Sequence, residues 1–72
     1  MKISMLIALE VEVISEFDEE KDEIIQSDLE VFKKDEILEV EEVESNESAT
    51  KFQLGNGSVF WVPNEVFEVI EE

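Results

Sequence analysis

The chain has no cysteine, no histidine, no tyrosine and no arginine. It has one proline, two glycines and one tryptophan among 72 residues. Each absence removes a class of chemistry. Without cysteine there is no disulfide, and a chain of this length buries only a thin core, so extra stability has to come from good packing or from self-association as a homodimer. The lack of cysteine also fits a reducing, intracellular setting. Without histidine or cysteine the usual zinc ligand sets are missing. No nucleophile-and-base constellation can be assembled either, and the sequence reads as that of a protein that is not an enzyme and uses no cofactor. Paired carboxylates are unavoidable by chance among 21 acids, so they do not by themselves indicate glycosidase chemistry.

Positive charge is scarce. Five lysines face 21 aspartates and glutamates, a formal net charge of −16. Hydrophobic residues still make up 43% of the chain, more than a disordered acidic segment carries. The sequence therefore describes one folded domain over residues 1–72 that tolerates strong self-repulsion. Direct binding to nucleic acid is disfavoured, because five lysines cannot offset the repulsion between this surface and phosphates. A positively charged macromolecule is the partner such a surface suits. The apolar run from Ile3 to Leu9 is too short to span a membrane. Glu10 and Glu12 interrupt it at once, with no small-residue cleavage site, so it reads as a buried strand and not as a signal peptide.

Between residues 3 and 13 every odd position is apolar: Ile3, Met5, Ile7, Leu9, Val11 and Val13. Period two predicts a strand, whose length implies a bend or extended pairing. Residues 15–32 admit two readings. Ile25, Leu29 and Phe32 have helical spacing, with Ser15 as a candidate cap; alternatively the segment is a long acidic loop followed by a short strand, the reading slightly favoured. Leu38 and Val40 alternate with Glu39 and Glu41 as a further strand, and Ser45-Asn46-Glu47-Ser48 is a turn by composition. Lys51–Leu54 and Ser58–Val62 flank Gly55-Asn56-Gly57, a strong hairpin signal. Residues 67–70 form a last short strand after Pro63. Five short strands predict a mainly β chain closed into a small barrel, with one short helix admissible in residues 15–32. The expected core is Leu9, Val11, Leu38, Val40, Phe52, Leu54 and Val69.

Asp28-Leu29-Glu30-Val31-Phe32-Lys33-Lys34-Asp35-Glu36-Ile37-Leu38-Glu39-Val40 is similar to the "DLSFKKGDxLxV" stretch of SH3 domains. The segment from Leu54 to Phe67 resembles their "L-NGxxGLFPSNYV" ending, and Ala8-Leu9 stands where "ALYDY" begins. The likeness runs from Asp28 to Ile70 and implies a five-stranded SH3-like barrel. The family's tyrosines are absent, Phe67 takes the last of them, and the tandem tryptophans give way to residues around Lys51-Phe52. The stretch before Asp28 is longer than the family's loop. Pro63 and Asn64 remain. The resemblance thus implies the barrel and not the polyproline groove, which is built of Tyr and Trp rings. In size and charge the chain also resembles small acidic bacteriophage proteins that occupy DNA-binding surfaces of host proteins, one group of which plugs the DNA channel of the sliding clamp.

Several residues are candidates for contact with a partner. Glu16, Asp18, Glu19, Glu20, Asp22 and Glu23 form one acidic run, broken only by Phe17 and Lys21. This run lacks the turn glycine of an EF-hand loop and reads as solvated rather than metal-binding. Glu39, Glu41, Glu42, Glu44 and Glu47 form a second. On a strand, carboxylates at i and i+2, such as Glu10/Glu12 and Glu39/Glu41, lie roughly 6.5–7 Å apart on one face, with neighbouring strands about 4.8 Å away. Rows of this kind imitate the dense charge of a nucleic-acid backbone; the plain alternative is a surface that only keeps the protein in solution. Trp61 shares a strand face with Val59, opposite Phe60 and Val62, so one pair is core and the other outward. Phe17, isolated between Glu16 and Asp18, is the better candidate for an exposed aromatic contact. The leading expectation is a phage-encoded DNA mimic in the bacterial host cytoplasm. It blocks a basic DNA-binding host protein such as a sliding clamp, RNA polymerase or nuclease. The alternative is an SH3-like adaptor module that binds a protein partner without mimicry.

Overall fold

A computed structural model describes all residues from Met1 to Glu72. Eight strands follow in order: β1 (Lys2–Met5), β2 (Leu9–Asp18), β3 (Glu23–Phe32), β4 (Ile37–Glu39), β5 (Glu41–Ser45), β6 (Ala49–Gln53), β7 (Val59–Pro63) and β8 (Phe67–Glu71). A single 3₁₀ turn, Asn64–Val66, precedes β8. The strands form two antiparallel sheets, ordered β4-β1-β8 and β3-β2-β7-β6-β5. The mainly β expectation holds, and the architecture is compatible with a small barrel-like domain. No helix is long and apolar enough to cross a membrane.

The expected first strand is two strands. The odd face of residues 3–13 does point inward at Ile3, Met5, Val11 and Val13, which are all buried. The run breaks at Leu6–Ala8, where the chain leaves one sheet for the other, and Ile7 is exposed. Backbone bonds hold the crossing: Met5 N donates to Glu36 O at 2.9 Å, and Leu6 N donates to Val66 O at 2.8 Å. A similar crossing splits the strand expected after Ile37. Val40 is buried at the break, and its N–H donates to Met1 O at 2.9 Å. Glu39 and Glu41 therefore sit on different sheets, not side by side on one strand.

Neither reading of residues 15–32 survives. There is no helix and no long loop. Two ten-residue strands, β2 and β3, pair along their length. Ile25, Leu29 and Phe32 do not form a helical stripe: Leu29 is exposed and Phe32 buried, on opposite faces of β3. The acids supply the turn between the strands. Asp18 Oδ1 accepts from Glu20 N at 3.0 Å and from Lys21 N at 3.2 Å, and Asp22 takes a left-handed φ of 54°, which Asp tolerates better than most residues.

The Gly55-Asn56-Gly57 hairpin forms as expected between β6 and β7. Gly57 has φ 90°, a conformation that L side chains rarely adopt. Asn56 Oδ1 accepts from Ser58 N at 2.9 Å. The Asn46 turn is tied from two directions: its Oδ1 accepts from Ser48 N and Ala49 N at 2.8 and 2.9 Å, and its carbonyl accepts from Asn64 Nδ2 at 2.9 Å.

The core is Ile3, Met5, Val11, Val13, Phe32, Val40, Phe52, Phe60 and Val62. Phe60 packs against Phe32 and Phe52 at ring-centroid distances of 5.2 and 6.0 Å, and Phe52 meets Phe67 edge-on at 5.0 Å. Burying each such ring contributes about 1.5–3 kcal/mol, with about 0.5–1.5 kcal/mol more per well-placed aromatic pair. Of the expected core, Val11, Val40 and Phe52 are buried, and Leu9, Leu38 and Leu54 pack at its edge. Val69 does not belong to it. It lies on the edge strand β8 and stays 44% exposed, because β8 has no strand on its far side.

Candidate functional site

Strand pairing builds a continuous outer face on the five-stranded sheet. Cross-strand neighbours point to the same side. Ile14 opposes Val59, Val59 opposes Gln53, and Gln53 opposes Glu41. One row along, Trp61 opposes Lys51 and Lys51 opposes Glu44. Phe60 and Val62 take the core side of β7, so Trp61 is the outward aromatic.

The β2–β3 hairpin rises beside this face. The register is irregular on either side of Glu16, and irregularities of this kind bend a strand and increase its twist. A groove of about 590 Å³ lies between the hairpin and the face. Its apolar lining is Ile14, Phe17, Ile24, Val43, Val59 and Trp61. Glu12, Glu16 and Glu19 stand on the hairpin side, and Lys51 is the only cation. Phe17 opposes Ile24 across the hairpin, and both are 45% exposed. Such a groove offers flat apolar contact beside negative charge, which suits an apolar side chain flanked by basic ones.

The structure gathers some of the predicted contact residues and scatters others. Glu16, Phe17, Glu19 and Trp61 meet in the groove. Glu20, Asp22 and Glu23 are exposed at the hairpin tip. Asp18 is half-buried and serves the turn through its two backbone bonds. The second acidic run does not form one patch. Glu41, Glu42 and Glu44 are exposed along the edge strand β5, and Glu47 sits in the following turn. Glu39 lies in the other sheet, opposite Lys2. With Glu41 it borders a separate cleft of about 320 Å³ beside Leu54 and Gly57. The carboxylate rows expected on adjacent strands are also interrupted. Glu10 and Glu12 are opposed on β3 by Val31 and Leu29, not by other acids.

Ile14 is absent from the contact residues expected from the sequence, yet it is central to the groove. A signal for it exists: it is an apolar residue out of phase with Val11 and Val13, on the face that otherwise carries Glu10, Glu12 and Glu16. Lys51 and Val43 carry no comparable mark.

None of the 21 acids is buried, and 19 are exposed. The sole ion pair is Lys2 Nζ to Glu71 Oε1 at 3.9 Å, between exposed side chains. Nowhere do three carboxylates converge closely enough to hold one metal ion. No protein-family model matches the chain, and neither a curated protein nor a solved structure shows significant similarity to it.

Proposed function

We propose that this protein binds a positively charged, DNA-contacting surface of another protein and blocks it sterically, as a DNA mimic. One observation carries this reading: 21 acids, none of them buried, are answered by a single exposed intramolecular ion pair. That charge repels itself and destabilises the compact state. A basic partner relieves the repulsion on binding and is drawn in by the same field. The acids of the β2–β3 tip are the densest part of it. Proteins that present such surfaces, as candidates for the target, are a sliding clamp, RNA polymerase or a nuclease in the cytoplasm of a bacterial host, with the inhibitor encoded by a phage.

The test is competition. Purified clamp, polymerase and nuclease are each loaded with labelled DNA and titrated with the protein. On the true target it displaces DNA, and its affinity falls as salt rises. Two multiple variants separate charge from shape: Asp18→Asn, Glu19→Gln, Glu20→Gln, Asp22→Asn and Glu23→Gln in one, and Glu39→Gln, Glu41→Gln, Glu42→Gln and Glu44→Gln in the other. Asn at position 18 keeps the oxygen that accepts the two turn bonds. Each set weakens displacement by about tenfold or more, equivalent to about 1.4 kcal/mol, while single replacements do little. Ternary complexes of target, DNA and protein, or neutralised variants that compete as well as the parent, would dispose of mimicry.

A second reading is favoured by the groove itself. The order of elements, with a long hairpin after the first strand and a 3₁₀ turn before the last, supports an SH3-like barrel. An adaptor module of that kind engages its partner through Trp61 and Phe17. On this reading Trp61→Ala or Phe17→Ala abolishes binding, and the neutralised variants bind normally.

A further inference from the structure

The five-stranded sheet ends at β5 on one side and at β3 on the other. β3 is ten residues long, β5 only five. At about 3.3 Å per residue, one side of the β3 backbone runs for about 30 Å without a strand partner. Natural edges are blunted with Pro, Lys, bulges or short length. Along Glu23–Phe32 there is no Pro, Lys or Gly, and the register irregularities are confined to the tip side of Ser27, so Ser27–Phe32 is a regular edge. Three of the four most exposed large apolar side chains in the molecule lie on this strand: Leu29 at 69%, Val31 at 60% and Ile25 at 58%.

Pairing with β2 fixes the faces. Leu29 and Val31 share one face with Glu12 and Glu10; Asp28 and Glu30 share the other with the buried Val13 and Val11. The edge thus shows apolar side chains on one face and carboxylates on the other. A second copy fits this edge badly. Two identical strands related by a two-fold axis must oppose residues of the same parity. Asp28 and Glu30 then share a face with their own counterparts, between molecules that each carry −16. Carboxylates on the core side of an edge strand are a known deterrent to such pairing. A strand that alternates basic and apolar residues meets the opposite situation. Its cations lie against Asp28 and Glu30, and its apolar side chains lie against Leu29 and Val31.

We propose that β3 is where an extended segment of a basic partner adds to the sheet as a sixth strand, with Lys or Arg on the Asp28/Glu30 face and apolar residues on the Leu29/Val31 face. The proposal rests on the reading that the partner is basic. Backbone hydrogen bonds supply the attachment and the alternating side chains supply selectivity.

Two peptides of identical composition test it: acetyl-Lys-Val-Lys-Val-Lys-Val-Lys-amide and the block isomer acetyl-Lys-Lys-Lys-Lys-Val-Val-Val-amide. Amide hydrogen exchange is followed on the intact chain. The alternating peptide slows exchange at every second residue between Ser27 and Val31 by about tenfold or more, and the block isomer does not. Leu29→Ser with Val31→Ser removes no core contact, and it weakens the alternating peptide by about tenfold. If both peptides act alike, with effects confined to residues 18–23 and Trp61, strand addition is wrong and general attraction of cations stands. If β3 becomes protected with rising protein concentration and no peptide, a second copy occupies the edge and the proposal is overturned. If neither peptide binds, the basic-partner reading falls together with it. Protection of β3 without any competition against DNA supports strand addition and removes only the mimicry.

Discussion

Asn64 joins more of the structure than its size indicates. Its Oδ1 accepts from Thr50 Oγ1 at 2.6 Å, its Nδ2 donates to Asn46 O at 2.9 Å, and its backbone N donates to Ser48 O at 3.0 Å. Thr50 is buried, with 4% exposure, so its hydroxyl depends on that one partner. Asn64→Ala is expected to cost about 1–3 kcal/mol, the penalty for an orphaned buried polar group. Thr50→Val removes the hydroxyl while keeping the shape, so the double variant Thr50→Val/Asn64→Ala is expected to lose less than the sum of the two changes. Urea unfolding of all four proteins measures this coupling. Other residues announce their roles in the sequence. Gly57 does so through its turn context, and Phe52 and Val40 through alternation. Trp61 leaves two faces open, because Val59/Trp61 and Phe60/Val62 are equally apolar, and only tertiary packing, which sets Phe60 against Phe32 and Phe52, decides which pair is covered.

The β2–β3 hairpin is the element whose nature is least legible in the sequence. Its acidic residues carry no information on burial, since none of them is buried, and the apolar residues of β3 are on an unpaired edge where no core selects their spacing. Periodicity reports a core face; where a strand has little core face, the pattern is free to imitate a helix. The decisive signal is local: Asp18 followed by four residues that close a turn, with Asp22 able to take positive φ. Asp18→Ala removes the acceptor of two backbone N–H groups and is expected to cost about 0.5–1.5 kcal/mol, whereas Asp18→Asn keeps the bond geometry and loses little. Thermal melts of the pair check this, since 1 kcal/mol corresponds to roughly 4–8 °C in a domain of this size. An equal loss in both would assign the effect to charge, not to the turn. The short strands at the other end of the chain are easier to read. β6 and β7 carry their own hairpin signal and two faces of contrasting burial, so position and orientation follow from the residues themselves.

For the molecule as a whole, charge is the largest imbalance that the fold leaves unresolved. With one exposed ion pair and no buried acid, repulsion is spread across the surface and is open to screening. Screening limits its reach to about 8–10 Å at 0.10–0.15 M salt, so the melting temperature is expected to rise between low salt and a few hundred millimolar. A flat or falling curve in calorimetry would mean that cations already neutralise the surface. Composition makes this property plain, but not where the acids stand relative to Trp61, which depends on strands far apart in sequence. The three-stranded sheet brings a separate consequence. β1 lies in its middle, and its register sets Lys2 against Glu71, so nearly the whole chain lies between two residues that must become neighbours. Contacts of such wide sequence separation are slow to form, because the loop that joins them must close before they reward it. The Gly55–Gly57 hairpin and the β2–β3 hairpin can assemble from nearby residues alone. The sheet that unites the two ends is therefore expected to be the slow step of folding, and stopped-flow refolding should show a Met5→Ala variant losing stability mainly through faster unfolding.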